Sequence, residues 1–229
     1  MQNVLLVEDD PEIAKLITYH FSAAQYTLTS SNTGKEALKY IATDDYQLII
    51  LDISLPDNNG LELCKTIRLG NANVPVIMLT CHAEESDKVL ALELGADDYI
   101  TKPFGILELM ARVKAVMRRS NQAPDILPQE EDISIGDLVI EPSKRKVSLC
   151  GKRLDLTVKE FDLLCLLACN PGKIFSRKDL LQQVWGFAFA GYEHTVTSHI
   201  NRLRLKLEAD LNHPKFILTA WGTGYRFAE

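Results

Sequence analysis

Gln47-Leu48-Ile49-Ile50-Leu51-Asp52-Ile53-Ser54-Leu55-Pro56 is the stretch on which the reading of the first half of the chain turns. Four consecutive branched aliphatic residues suit a strand buried on both faces, as in a parallel sheet covered by helices on each side. A carboxylate ends the run, which puts Asp52 at the carboxyl edge of that strand. Pro56 and the cluster Asp57-Asn58-Asn59-Gly60 then turn the chain. A lone aspartate in such a place is ordinarily a cap or a solvated turn residue. A reactive role for Asp52 therefore depends on which other side chains reach the same edge.

Further apolar runs flank this one, at Val4–Val7, Tyr26–Leu28, Val74–Leu79 and Tyr99–Ile100. Helical patterns lie between the runs and after the last, carried by Ile13, Leu16, Ile17 and Phe21, then Ala37, Leu38 and Ile41, then Leu61, Leu63, Cys64 and Ile67. The fourth pattern has Val89, Leu90, Leu92 and Leu94, and the fifth has Leu107, Leu109, Met110, Val113, Val116 and Met117. Five strand–helix alternations predict an α/β fold, a five-stranded doubly wound parallel sheet with helices on both faces.

Ligands of such sheets bind beyond the carboxyl ends of the strands, where the strand order reverses. The predicted strand ends carry Glu8-Asp9-Asp10, Asp52, Thr80-Cys81 and Thr101-Lys102-Pro103-Phe104. Asp10, just before Pro11, reads as a helix N-cap. The other carboxylates repel one another and call for a hard divalent cation, for which Mg²⁺ suits an all-oxygen set. A carboxylate nucleophile with a cation, an ammonium and a hydroxyl around it is an arrangement for phosphoryl transfer. In that reading Asp52 attacks phosphorus, Lys102 and the metal take up the charge, and Thr80 donates a hydrogen bond.

These residues give residues 1–119 their likeness to a known family. Glu8-Asp9, Asp52, Thr80, Lys102-Pro103-Phe104 and Gly95-Ala96-Asp97-Asp98-Tyr99 resemble the motifs of the receiver domain of two-component response regulators. The resemblance implies that a sensor histidine kinase phosphorylates Asp52, and that Mg²⁺ is held by Asp9, Asp52 and the Ser54 carbonyl, with Glu8 acting through water. It implies a switch in which Thr80 moves toward the phosphate and Tyr99 turns inward, and a cis bond before Pro103. It also implies dimerisation through the face of the fourth helix, fifth strand and fifth helix, with Lys88 paired to Glu108, Asp97 to Arg119 and Asp98 to Arg112. Ser54 and His82 stand two residues beyond Asp52 and Thr80, where they can influence water access and the lifetime of the phosphorylated state. Turnover is not expected beyond slow autodephosphorylation, so the protein is read as no enzyme.

The 229-residue length suggests two domains. Residues 120–132 have almost no apolar pattern and read as a linker. The net charge of −6 argues against nucleic acid, but the halves differ. Residues 1–120 hold 17 acidic and 11 basic side chains, and residues 132–229 hold 11 acidic and 14 basic. That leaves nucleic-acid binding open for the second half. Five scattered cysteines suggest reduced thiols, and neither a signal peptide nor a membrane span is read, so a cytoplasmic location is expected.

Residues 133–229 read as a smaller α+β domain. Short strand-like pieces at Ile133–Ile135, Leu138–Ile140, Lys146–Leu149 and Lys152–Leu156 precede a capping box, Thr157-Val158-Lys159-Glu160. Ser176 caps a further helix. In the helix from about Thr195 to Leu207, Val196, Ile200, Leu203 and Leu207 share one narrow arc. His194, Ser198, Asn201 and Arg202 face away from it, flanked by Thr197 and Arg204, a set suited to a major groove. A glycine-rich hairpin, Phe216–Phe227, follows. Together with Trp185-Gly186, His199-Ile200, Arg202-Leu203-Arg204 and Gly222-Thr223-Gly224-Tyr225-Arg226-Phe227, this half resembles the winged helix-turn-helix effector of the OmpR/PhoB group. The resemblance implies contacts to double-stranded promoter DNA from the helix and the wing, with His199, Trp221 and Arg226 added to the helix residues above. It further implies tandem binding to direct repeats and work with RNA polymerase. The alternative is a DNA-binding regulator controlled by ligand or redox state, with Cys81 as a candidate, independent of phosphorylation.

Overall fold

Leu48–Asp52 form β3, and all five residues are buried, as four aliphatic side chains without a polar face require. The structure is a computed structural model that describes residues 2–70, 73–81, 90–121, 132–186 and 193–229, with side chains of the helix ending at Asn121 described up to Arg118. Around β3 lie β1 (Gln2–Val7), β2 (Tyr26–Ser31), β4 (Val76–Thr80) and β5 (Asp98–Thr101), all parallel, in the order β2-β1-β3-β4-β5. The order reverses between β1 and β3, so their carboxyl ends, at Glu8 and Asp52, flank the crevice in which such sheets bind ligands.

Alternation along the strands makes two cores. Val4 and Leu6, Leu48 and Ile50, and Ile77 and Leu79 face one side, against Ile17 and Phe21 of α1 (Pro11–Ala23) and Leu109 and Val113 of α5 (Ile106–Asn121). Leu5 and Val7, Ile49 and Leu51, and Val76 and Met78 face the other, against α2 (Gly34–Thr43), α3 (Gly60–Gly70) and Ala91 of α4, whose described residues are 90–93. Leu16, expected in the core, is 47% exposed, because Ile17 and Phe21 already fill the buried stripe of α1. Asp10 caps α1 as expected, accepting from the main-chain N–H groups of Glu12 and Ile13. The chain divides into two compact units, Met1–Arg118 and Arg119–Glu229. Residues 122–131, which hold most of the expected linker, lie outside the described residues.

In the second unit, β6 (Ile133–Ile135), β7 (Leu138–Glu141), β8 (Lys146–Leu149) and β9 (Lys152–Arg153) make an antiparallel sheet in chain order. The last strand is shorter than the sequence suggests, ending at Arg153. Helices α6 (Val158–Ala168), α7 (Arg177–Val184) and α8 (Glu193–Leu207) follow, the first two each opened by a capping box, at Thr157/Glu160 and Ser176/Asp179. The terminal hairpin pairs β11 (Ile217–Ala220) with β12 (Gly224–Phe227), as the glycine-rich tip predicts. A two-residue strand not foreseen, β10 (Phe175–Ser176), adds to β12. The approach is close enough that a Cβ on Gly224 would lie 1.9 Å from the Phe175 carbonyl oxygen.

Candidate functional site

At the rim of the parallel sheet Lys102 Nζ donates to Glu8 Oε1 and to Asp52 Oδ2, each at 2.7 Å. Both carboxylates are buried at 2% exposure, while Asp9 is open to solvent. Strand β5 brings the lysine, β1 the acidic pair and β3 the aspartate, so the sheet order alone gathers residues 94 and 50 positions apart in sequence. Burial, with the charge of Asp52 added, pushes the Glu8 carboxyl up to about 7 from its usual 4.5, despite the Lys102 hydrogen bond. Burial also disfavours the Lys102 ammonium, but its hydrogen bonds to Asp52 and Glu8 prevail and raise its pKa.

One feature of this set points to a cation. Glu8 Oε2 is buried and has no hydrogen-bond partner among the described residues. Carboxylate oxygens of Glu8, Asp9 and Asp52 come within 4.8 Å of one another, all of them hard donors. The donor set fits a divalent metal ion, and Lys102 by itself leaves one buried oxygen unsatisfied.

The loop after β3 is tightly built. Gly60 N donates to Ile53 O at 2.8 Å, and a Cβ on Gly60 would lie 2.0 Å from Asp52 O, so α3 can begin against the end of β3 only with glycine there. Ser54, exposed, donates its main-chain N–H to Asp52 Oδ1 at 3.1 Å. Asp57 accepts from the Gly34 and Lys35 main-chain N–H groups at 2.8 and 3.0 Å, and these bonds hold its carboxyl below the usual range. Thr80 is buried at the end of β4, and its carbonyl accepts from Lys102 N at 2.7 Å. The Lys102–Pro103 bond is cis. Tyr99 is half-buried against the core shared with α3. An open groove beside the acidic pair is lined by Asp9, Lys15, Thr18, Tyr19 and Glu36.

Asp97, expected on the dimer face, is buried within its own unit, accepting from Arg68 Nη2 at 2.8 Å and from Val76 N at 2.9 Å, so it ties α3 to the sheet. Arg112 pairs within its own chain, reaching Asp98 at 3.1 Å and Glu108 at 3.0 Å. Lys88 and the Arg119 side chain lie outside the described residues, as does His82.

Helix α8 buries Val196, Ile200, Leu203 and Leu207 as expected, but its buried arc is wider and takes in Thr195 and His199. His199, expected at DNA, is fully buried, with Nδ1 2.8 Å from Thr195 O and its ring edge-on to Trp185 at 4.9 Å. His194 and Asn201 are exposed, and Thr197, Ser198, Arg202 and Arg204 are partly so. Arg202 and Lys206 both reach the buried Glu160 carboxylate, at 3.3 and 2.7 Å. The capping-box signal showed Glu160 only as a partner of Thr157. Its second role depends on α8 packing against α6, which no local signal in the sequence marks. Trp221 stands 91% exposed at the wing tip, and Arg226 is partly exposed on β12.

An acidic, lysine-bridged rim on a doubly wound sheet, followed by a winged helical unit, defines a receiver joined to a DNA-binding effector. Residues 4–114 match the family model of the response regulator receiver domain, and residues 151–227 match that of the C-terminal domain of transcriptional regulatory proteins. The chain is similar to the alkaline phosphatase synthesis transcriptional regulatory protein PhoP of Bacillus subtilis (strain 168), 41% identical over 233 residues, covering 100% of this chain and 97% of that protein. Among solved structures it resembles DrrB, an OmpR/PhoB homologue of Thermotoga maritima, at 33% identity and a TM-score of 0.52, and a mutant of RitR at 25% identity and 0.75, each over 100% of both chains. The chain therefore belongs to the response regulators of the OmpR/PhoB type, two-component regulators of transcription that answer to a kinase and bind DNA.

Proposed function

We propose that Asp52 is the residue a sensor histidine kinase phosphorylates, and that the modification makes the protein bind promoter DNA as a homodimer. The observation that carries this is the Lys102 ammonium seated between Glu8 and Asp52, beside a buried Glu8 oxygen that lacks a donor. An Asp52 oxygen attacks the phosphorus of a phosphohistidine, the P–N bond breaks, and the imidazole leaves. Lys102 and Thr80 stabilise the charge on the transferred oxygens. Asp9, Asp52 and the Ser54 carbonyl would hold Mg²⁺, with Glu8 through water. When bound, the ion would supply charge neutralisation for the transfer. Once on Asp52 the phosphoryl group stays until slow autodephosphorylation, so the protein is a signalling acceptor and no turnover enzyme.

Phosphate then favours one of two pre-existing arrangements of Thr80 and Tyr99. The active arrangement dimerises through α4, β5 and α5, using Asp98, Glu108 and Arg112 with Lys88 and Arg119. Arg112 must exchange its intrachain partners to do so. His194, Thr197, Ser198, Asn201, Arg202 and Arg204 of α8, with Trp221 and Arg226 of the wing, meet direct repeats of promoter DNA in the cytoplasm and work with RNA polymerase. Residues 1–119 are the receiver, 120–132 the linker and 133–229 the effector. Acetyl phosphate should tighten DNA binding by the wild-type protein and leave Asp52→Asn unchanged, read in one electrophoretic titration. Equal tightening of both proteins would hand the case to phosphorylation-independent control.

A further inference from the structure

Arg204, in the last turn of α8, and Glu208, the first residue past its end, hold the wing by its first strand. Glu208 accepts three successive main-chain N–H groups, from Lys215 at 2.6 Å on Oε2 and from Phe216 and Ile217 at 3.0 and 2.9 Å on Oε1. Arg204 donates from Nε and Nη2 to Ile217 O, at 3.1 and 2.8 Å, and from Nη2 to Thr219 Oγ1 at 2.8 Å. Both main-chain polar groups of Ile217 are thus taken by the end of α8. Further out, the Tyr225 hydroxyl reaches Thr197 Oγ1 at 3.4 Å, and the Arg204 guanidinium lies 5.6 Å from the centre of the Tyr225 ring.

Strand β11 is the edge of a three-stranded sheet, bonded to β12 alone. A short ribbon of this kind holds its angle poorly unless something outside it does so. A carboxylate collecting three amides is a strong anchor, because charge-assisted hydrogen bonds exceed neutral ones. We infer that Glu208 is a positioning residue for DNA recognition. It sets the angle between α8 and the wing, so that both reach the duplex in one register without ordering cost at binding. This rests on the reading of α8 and the wing as the surface that meets DNA.

Two tryptophans make the test direct, since Trp221 is 91% exposed at the wing tip and Trp185 is 3% exposed inside. In full-length Glu208→Ala, the fast depolarisation of Trp221 emission should grow in amplitude, measured without DNA. Affinity for a bound promoter fragment should fall about tenfold, with hydroxyl-radical protection lost beneath the wing and retained under α8. Glu208→Gln keeps an oxygen for Phe216 and Ile217 and should fall between the two. Unchanged depolarisation in Glu208→Ala, with thermal unfolding confirming a folded effector, overturns the clamp. Uniform loss of protection across the site overturns its positioning role. A wild-type protein that protects no DNA beneath the wing, while Glu208→Ala still frees Trp221, fails the reading of the wing as a DNA contact and leaves the clamp standing.

Discussion

The receiver rim and helix α8 handle charge in opposite ways. At the rim two buried carboxylates share one ammonium, Asp9 adds a third negative charge, and one Glu8 oxygen lacks a partner among the described residues. On α8 the bases are already matched: Arg202 and Lys206 to Glu160, Arg204 to the main chain and hydroxyl of the wing. A site short of positive charge gains free energy when a cation arrives, whereas a surface whose long side chains are already held loses little entropy when its target docks. The first unit carries an unmet charge and the second a set of bases already held in place.

The largest expected effect tests how firmly the rim is framed. Gly60→Ala places a methyl group against the Asp52 carbonyl and should destabilise the receiver by about 3 kcal/mol, the upper end for forced overpacking. Urea unfolding would show it as an early receiver transition with the effector transition unmoved. Stability within error of wild type would mean that the α3 start yields easily and the rim is less rigid than its spacing implies.

Next comes the charge deficit itself. Because the Glu8 carboxyl is raised from 4.5 to about 7, the folded state holds a proton that the unfolded chain releases across that interval. Stability should therefore fall as pH rises through that window in metal-free protein. Glu8→Gln should flatten this decline and be the more stable protein at pH 8, a gap that added Mg²⁺ narrows by binding the wild type. Thermal melts in chelator and in Mg²⁺ measure it; parallel pH profiles for the two proteins would remove the charge deficit assigned to the rim.

Smaller effects belong to the matched face. Asn201→Ala, on an exposed position of α8, should cost about 1–2 kcal/mol at sites carrying the preferred base and little elsewhere. Arg202→Ala should weaken binding to all sequences and lower the salt slope by about one unit. A slope that does not move would show that Arg202 serves Glu160 alone, which would sharpen the contrast by making that residue wholly internal.

Much of this could be read from the chain because the signals were local. The aliphatic run ending at Asp52, the acidic pair after β1 and the capping box at Thr157 each lie within a few residues. What escaped depends on distant partners. Asp97 looks like any acid before a strand until Arg68, 29 residues earlier, is seen beside it. Strand β10 has two residues and takes its place from Gly224. His199, which the family resemblance puts at DNA, is buried because the buried stripe of α8 is wider than Val196, Ile200, Leu203 and Leu207 alone indicate. Thr195 and His199, four apart and flanking Val196 and Ile200, were the available sign that Trp185 extends that stripe.

The Asp57 carboxylate, bound to the first amides of α2, makes that helix a listener. A helix with none of the assigned functional side chains shares two hydrogen bonds with the loop that follows Asp52. Deuterium uptake at the Gly34 and Lys35 amides should consequently register any rearrangement of that loop, giving a readout of the signalling state from a surface that neither kinase nor DNA is proposed to touch.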